Sequence, residues 1–456
     1  MKKLIFIVLG VLLFASLIVA CAGDTTTTSS GTGSDEAVEV VVALFSDGQN
    51  LNDFQRQVFD DFANDFPHIQ PRFVFVTSDG YGANWNGFLM RIQTMIASGD
   101  APDVVGLGLE GIAFLAMNDL ALPMDDFIAA NPELTASIQM EGIDQALLDI
   151  FKVDGELYGV PWEANSVVTH IRKDIFDAVG IDLPPADWTW DDFRAICEAI
   201  INSPDTDAFA FGVPRNFFCL QALLYSNGAA PLNDTWCAAA INSPESVEIF
   251  QFLQDAIHVY GFAPEPSDTI SDVELIISGR TAMGWWGRWV SNDYSASELY
   301  DTIFAQLVPA GRAGNITCAG SASFVVLSST EVPDEAMTVA LWAAGQHFVE
   351  TFLSIGSLPA NQIFGEAILG NDRTISNWEA MYHVYETGQW RRSQDPPEYA
   401  DLAAIYSKYM AIIYANQMSA QDALDLAAQE IDQMFYESRF RQTPEQLRII
   451  EGLFKN

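Results

Sequence analysis

Trp285-Trp286-Gly287-Arg288-Trp289 is the densest concentration of chemically capable side chains in this sequence, within a total of 11 tryptophans. Indole faces pack on flat, weakly apolar surfaces, and a guanidinium or carboxylate beside them hydrogen-bonds hydroxyls. Such a cluster suits a small polyhydroxylated molecule, or else it fills a core. Acids supply the other half of that chemistry. Asp47 and Glu110 stand in loops expected to lead from strand to helix, where a carboxylate accepts hydroxyl hydrogen bonds or complements a helix N-terminus. Trp85 and Asn84 lie in a Gly-rich stretch nearby.

Signs of catalysis are weaker. There is no His-Glu-x-x-His, no Gly-x-Ser-x-Gly and no Gly-Lys-Ser/Thr loop. His68, His170, His258, His347 and His383 are too scattered to give a metal-ligand spacing, so no metal is expected. Paired carboxylates for glycoside hydrolysis stay open as an alternative, because acids are abundant and their separation in space is not written in a sequence. Gly106-x-Gly108-x-x-Gly111 matches a dinucleotide fingerprint, with Asp125 and Asp126 downstream. The export signal described next argues against a nicotinamide partner, and no cofactor is expected.

Lys2 and Lys3 precede an apolar run from Leu4 to Phe14, then small and apolar residues to Ala20, then Cys21. This is the layout of a secretory signal peptide over 1–20, too short for a good membrane span. Leu17-Ile18-Val19-Ala20-Cys21 resembles a bacterial lipobox, with Ile18 where Leu is usual, which implies lipidation of Cys21. Two acyl chains there would anchor the protein stably to a membrane. The Thr/Ser/Gly-rich remainder of 21–37 reads as a flexible tether. The expected location is therefore the cell surface or periplasm.

The formal net charge is −40, with 21 Lys plus Arg against 61 Asp plus Glu. That balance excludes a nucleic-acid backbone as the default partner and favours a soluble surface. Beyond Cys21 lie Cys197, Cys219, Cys237 and Cys318, none in a Cys-x-x-Cys pair. Export permits disulfides; Cys219–Cys237, closing a short loop, is the expected bridge, with four buried thiols as the alternative.

The elements that must position these residues follow from periodicity. Val38 to Phe45 reads as a strand, Leu51 to Phe66 as a helix stopped by Pro67, and Phe73 to Thr77 as a second strand. Phe88 to Ser98 reads as a helix, Asp103 to Leu107 as a strand, and Ile112 to Met117 opens a further helix. Three alternations predict an α/β fold with a parallel, doubly wound sheet whose ligands bind beyond the carboxyl ends of its strands. Trp188-Thr189-Trp190 opens a helix capped by Thr189 or Asp187, and the chain from Asn377 onward reads as mainly helical.

Five stretches in order resemble the family-1 extracellular solute-binding proteins of ABC importers, the group that includes maltose-binding proteins. They are Ile96 to Val105; Gly155 to Ala164 continuing through Arg172-Lys173-Asp174 and Val179-Gly180-Ile181; Pro184-Pro185 with Trp188-Thr189-Trp190; Ser278 to Met283 with Trp285 to Trp289; and Gly356 to Ala360. One departure is Thr169-His170-Ile171-Arg172, where the family often has Tyr-Asn before Lys-Asp.

The resemblance implies a two-lobed periplasmic-binding-protein fold of type II, each lobe a mostly parallel sheet flanked by helices, with a hinge between. Lobe 1 would comprise 38–160 and 310–365, and lobe 2 would comprise 161–309 and 366–456. The chain would be a monomer that captures a small ligand, with a sugar expected, and delivers it to the ABC permease in the membrane. A sensory lipoprotein for another polar solute is a further alternative. Carried over by register, Trp289 is the stacking platform and Arg288 a hydroxyl or carboxylate partner. Trp286, Glu163, Asn216, Phe218, Trp390 and Arg391 are further contacts, beside Asp47 and Glu110.

Overall fold

Val, Ile, Phe and Ala runs form the strands of two sheets, and the computed structural model describes residues 37–46, 52–53, 56, 59–77, 85–267, 269–353, 358–368, 375–438, 440 and 443–453. The signal segment, Cys21, the tether to Glu36, Asp47 and Asn84 lie outside the described residues. In chain order the strands are β1 Val38–Ser46, β2 Ile69–Thr77, β3 Val104–Gly108, β4 Lys152–Val153, β5 Glu156–Leu157, β6 Pro161–Ser166 and β7 Val168–Arg172. There follow β8 Phe209–Phe211, β9 Thr281–Trp286, β10 Ile303–Gln306, β11 Thr317–Val326, β12 Leu358–Pro359 and β13 Trp390–Arg392. The helices that matter for the site are α1 Trp85–Ser98, α2 Ile112–Met117, α3 Trp190–Asn202, α4 Phe217–Ser226, α5 Pro244–His258, α6 Ala380–Thr387, α7 Tyr399–Tyr414, α8 Ala420–Glu437 and α9 Pro444–Leu453.

The first sheet runs β12-β6-β11-β3-β1-β2, with β13 also on β11; the second runs β10-β7-β9-β8; β4 and β5 form a separate hairpin. In the first sheet β2, β1 and β3 are parallel, as their helical crossovers demand, while β11, β6 and β12 are antiparallel. In the second sheet only β8 and β9 are parallel. Pairing is thus more mixed than the alternation of strand and helix predicted, because β11 and β6 run between the two sheets and not through crossovers on one. Pro161–Ser166 stays in the first sheet, so the passage to the second comes at Val167 and not after Val160.

Local chemistry accounts for the element ends. β2 starts at Ile69, earlier than expected, and carries Pro71; it is the edge strand, where a missing N–H leaves no ladder bond unmade. Of the helix expected over Leu51 to Phe66, Phe62–Asp65 is helical after a turn at Phe59, and parts of the remainder lie outside the described residues. Thr189 closes a capping box with Asp192: Asp192 N–H donates to Thr189 Oγ1 at 3.2 Å and Thr189 N–H to Asp192 Oδ2 at 2.8 Å.

Two aromatic cores hold the sheets. Phe59, Phe324, Trp342 and Phe348 cluster against the first. Trp285 packs with Phe193 at 5.5 Å and Phe211 at 5.3 Å against the second. From Asn377 onward the described chain is mainly helical as expected, apart from β13, and α7 packs both on α8 and on α1, so this segment touches the N-terminal part of the chain.

Candidate functional site

Small residues in β11 and β3 make a floor between the two sheets. Ala322 of β11 lies opposite Gly108 of β3 on one side and Glu163 of β6 on the other. Residues directly opposite in antiparallel strands project from the same face, so Glu163, Gly108 and Ala322 share one face, and Gly320, two residues earlier, joins them. A Cβ on Gly108 would collide with Glu110 Oε2 and press on the Trp85 indole at 3.0 Å. One on Gly320 would come within 2.6 Å of Leu109 Cδ2 and 3.1 Å of the Phe218 ring. The face therefore carries two carboxyls, Glu110 and Glu163, with Trp85, Leu109 and Phe218 around a floor without bulky side chains.

Phe218 extends this face toward the second sheet, where the Trp289 ring meets it edge-on at 6.0 Å. The turn Arg288–Val290 packs on β6 and buries Arg288. Gly287 is required here, since a Cβ would run into the Trp289 ring folded back over it. His170 braces this turn. Its Nε2 lies 3.2 Å from the Trp286 carbonyl, which can only accept, so Nε2 carries the proton and Nδ1 accepts from the Tyr294 hydroxyl at 3.0 Å. Burial pushes the imidazole down to about 3, which keeps it neutral. The segment bearing Arg288 and Trp289 is thus pinned at Trp286 and at Tyr294.

Electrostatics on the face are acidic. Glu110 is buried, and its Oε2 has no hydrogen-bond partner among the described residues. Burial, then the charges of Asp395 and Glu163, push its carboxyl up to about 8. It is therefore protonated at neutral pH and able to donate as well as accept.

The remaining expected residues are dispersed. Asp47 lies outside the described residues. Asn216 is exposed and caps α4, accepting from Phe218 N–H at 2.9 Å. Trp286 is buried with its ring edge against His170 at 5.6 Å, in the lobe interior. Trp390 is half-buried beside Tyr385 at 5.3 Å, and the Arg391 guanidinium sits 5.8 Å from the Tyr225 ring. The expected Cys219–Cys237 disulfide is not formed: all four cysteines are free and buried. Cys219 lines a small cavity with Trp285 and Trp286, whereas Cys237 lines a different one with Trp236 and Phe435, so chain proximity does not become contact.

The Gly-x-Gly-x-x-Gly stretch serves packing. Side chains of Leu44 and Phe324 fill the space beside Gly106, Glu110 and Trp85 that beside Gly108, and Leu107 that beside Gly111. Sequence reading missed Leu109, Gly320 and Ala322 as floor and wall, and Asp395 as a neighbour of Glu110. Nothing in Ser393-Gln394-Asp395-Pro396 marks it; only the pairing of β13 with β11 brings it there.

The profile of a family described as bacterial extracellular solute-binding protein matches residues 48–346. An arabinooligosaccharide-binding protein of Halalkalibacterium halodurans is 24% identical over 294 residues, which is 62% of this chain and 62% of that relative's length. Among solved structures, the substrate-binding protein of an ABC transporter from Listeria monocytogenes, in complex with cycloalternan, superposes with a TM-score of 0.76 at 20% identity, covering 87% of this chain and 99% of the other. An ABC transporter solute-binding protein from Thermotoga lettingae, bound with α-D-tagatose, gives a TM-score of 0.74 at 17% identity, covering 88% and 100%.

Proposed function

The chain belongs to the bacterial extracellular solute-binding proteins, and from that premise we propose that it captures a carbohydrate between its two lobes and delivers it to an ABC permease, without catalysis. The lobes in this reading follow the expected division, 38–160 with 310–365 and 161–309 with 366–456, moved at the first crossing so that Pro161–Ser166, a strand of the first sheet, stays with lobe 1. The protein is exported, held to the membrane through lipid on Cys21, and acts as a monomer.

The observation that carries the ligand class is the face bearing Glu110 and Glu163 over Gly108, Gly320 and Ala322, ringed by Trp85, Phe218 and Trp289. Carboxyl groups accept sugar hydroxyls, the protonated Glu110 also donates, and the indoles stack on the apolar face of a pyranose. Arg288, buried in the turn that packs on β6, is the guanidinium of this reading. The arabinooligosaccharide, cycloalternan and tagatose named for the relatives are all carbohydrates, which supports the same class. Because the groups come from both lobes, ligand contacts favour closure about the hinge.

The test is a thermal-shift screen of the purified protein against mono- and oligosaccharides, sugar alcohols, polyamines and phosphorylated polyols. A ligand at a hundredfold excess over Kd stabilises the fold by about 2.7 kcal/mol. A rise with one sugar class, lost in Trp289→Ala and without product, is the expected result. A response only to a non-carbohydrate solute would refute the ligand class. Product release would turn Glu110 and Glu163 into a hydrolase pair.

A further inference from the structure

The chain beyond α8 is fastened to the second-sheet side and touches the first. α8 packs on α5, and α5 is joined to the second sheet where the Phe252 ring stacks on Phe211 of β8 at 6.2 Å. After α8, the Ser438 hydroxyl donates to the Glu398 carboxyl just before α7, and Phe440 N–H donates to the Ser438 oxygen at 3.1 Å. One amide ties down α9. Gln446 Oε1 accepts from Thr443 N–H at 2.8 Å, and Gln446 Nε2 donates to the Thr235 carbonyl at 3.0 Å, in the loop between α4 and α5. That loop is itself fixed to α8, because Ala239 N–H donates to Asp432 Oδ1 at 2.8 Å.

Phe440 reaches the other way. Its ring meets Phe114 of α2 edge to face, with centroids 5.9 Å apart and planes at 76°. α2 follows β3 and belongs to the first-sheet side, and both rings are half-buried. Behind this contact the two sides do not fill the space between them. A cavity of about 290 Å³ lies there, walled by Ile112, Met117 and Ile150 from the first side and by Trp236, Phe435 and Phe440 from the second. Protein interiors leave few voids larger than a water, since atoms facing a gap lose their dispersion contacts. An interface with such a gap gains little cohesion from its own packing, so a ring pair at its rim carries a larger share of what holds the sides together.

We propose that Ser438, Phe440 and α9 form a strap: anchored on the second-sheet side, it grips α2 through Phe440 and favours the closed arrangement of the lobes, the one seen here. In this arrangement Leu109 of the first side and Phe218 of the second both crowd the Cβ position of Gly320, at 2.6 Å and 3.1 Å. Ligand affinity then depends in part on the tail, through the population of closed lobes. The inference rests on the proposed capture by lobe closure, though not on which solute is captured. An edge-to-face aromatic pair shifts such an equilibrium by roughly two- to tenfold.

Spin labels on Glu133→Cys and Asp207→Cys, exposed positions of the first and second sides, report lobe spacing in the ligand-free protein by electron–electron double resonance, in a Cys21→Ser background. The four remaining cysteines are buried and stay unlabelled. Phe440→Ala and Phe114→Ala should each raise the ratio of long to short spacing by roughly two- to tenfold, and their combination should add little, because both remove one contact. Gln446→Ala, which unties α9 and leaves both rings, should act in the same direction. Gly320→Val, a wedge between Leu109 and Phe218, is the control for lobe movement. If Gly320→Val lengthens the spacing while Phe440→Ala, Phe114→Ala and Gln446→Ala match the parent, the strap is overturned and closure stands. If none of the four changes it, the lobes do not move, and capture by closure falls together with the strap.

Discussion

Gly320→Ala tests whether the floor between the lobes controls closure. The added Cβ would stand 2.6 Å from Leu109 Cδ2 and 3.1 Å from the Phe218 ring, while carbon contacts settle near about 3.5–4.0 Å. Leu109 follows β3 of the first sheet and Phe218 lies on α4, beside the second-sheet turn that carries Trp289. Relief therefore requires either a new Leu109 rotamer or separation of the two sides. Overpacking of this size costs about 1–3 kcal/mol. If the pinch exists only when the lobes are closed, the whole cost falls on the ligand-bound state, and affinity drops by about 5–150-fold. Calorimetry with the ligand found by the screen reads the loss, and urea unfolding of the ligand-free protein reads stability separately. Leu109→Ala added to Gly320→Ala removes the obstructing methyl and should restore much of the binding, giving a coupling above about 0.5 kcal/mol. Affinity within about twofold of the parent, together with a stability loss of about 1–3 kcal/mol, would refute the reasoning, because the contact would then be common to open and closed forms.

Three further outcomes follow from named groups. Glu110 is pushed up to about 8, so the folded chain keeps a proton that the unfolded chain releases, and ligand-free stability falls as pH rises through that value. His170, held near 3, acts oppositely but only below its ordinary value of 6.5, and Asp272 and Asp395, each raised by burial to about 6, act in the same direction mainly below pH 7, so unfolding free energies from pH 7 to 8 weigh Glu110 most. The slope, bounded by about 1.4 kcal/mol per pH unit for one proton, should flatten in Glu110→Gln. His170→Phe leaves the Trp286 carbonyl and the Tyr294 hydroxyl without their shared partner, at a cost of about 1–3 kcal/mol by urea unfolding, and weakens ligand binding by releasing the Arg288–Trp289 turn. Unchanged binding would remove the brace from the account. The four cysteines beyond Cys21 should resist a thiol reagent in the folded protein and all react in denaturant, with no effect of a reductant on the melting temperature; a reductant-sensitive melt would contradict four free thiols.

Much of this molecule was written locally. Apolar runs of strand length, a cap at Thr189 and the helical periods after Asn377 depend on residues a few positions apart, and each forms, β2 with an earlier start and Thr189, not Asp187, as the cap. The resemblance carried by Gly155 to Ala164 and by Ser278 to Trp289 named the family before any pairing was known. Types of residue were also legible: indoles, carboxyls and a guanidinium in one chain suggest hydroxyl recognition. What a sequence leaves open is which of eleven tryptophans faces a ligand. Trp285 and Trp289 are four residues apart, yet one fills the second core and the other meets Phe218, because β9 ends at Trp286 and Gly287 turns the chain. Cys219 and Cys237 are near in sequence and line separate cavities. Glu110 and Glu163 share a face only because Ala322, a long way downstream, pairs with Gly108 and Glu163 at once, and Asp395 reaches Glu110 only through β13. Periodicity fixes which residues are buried in an element, since that is a property of neighbours along the chain. Register between distant strands sets which buried groups meet, and with them the desolvation and charge that raise Glu110, so the site itself was decided by the tertiary structure.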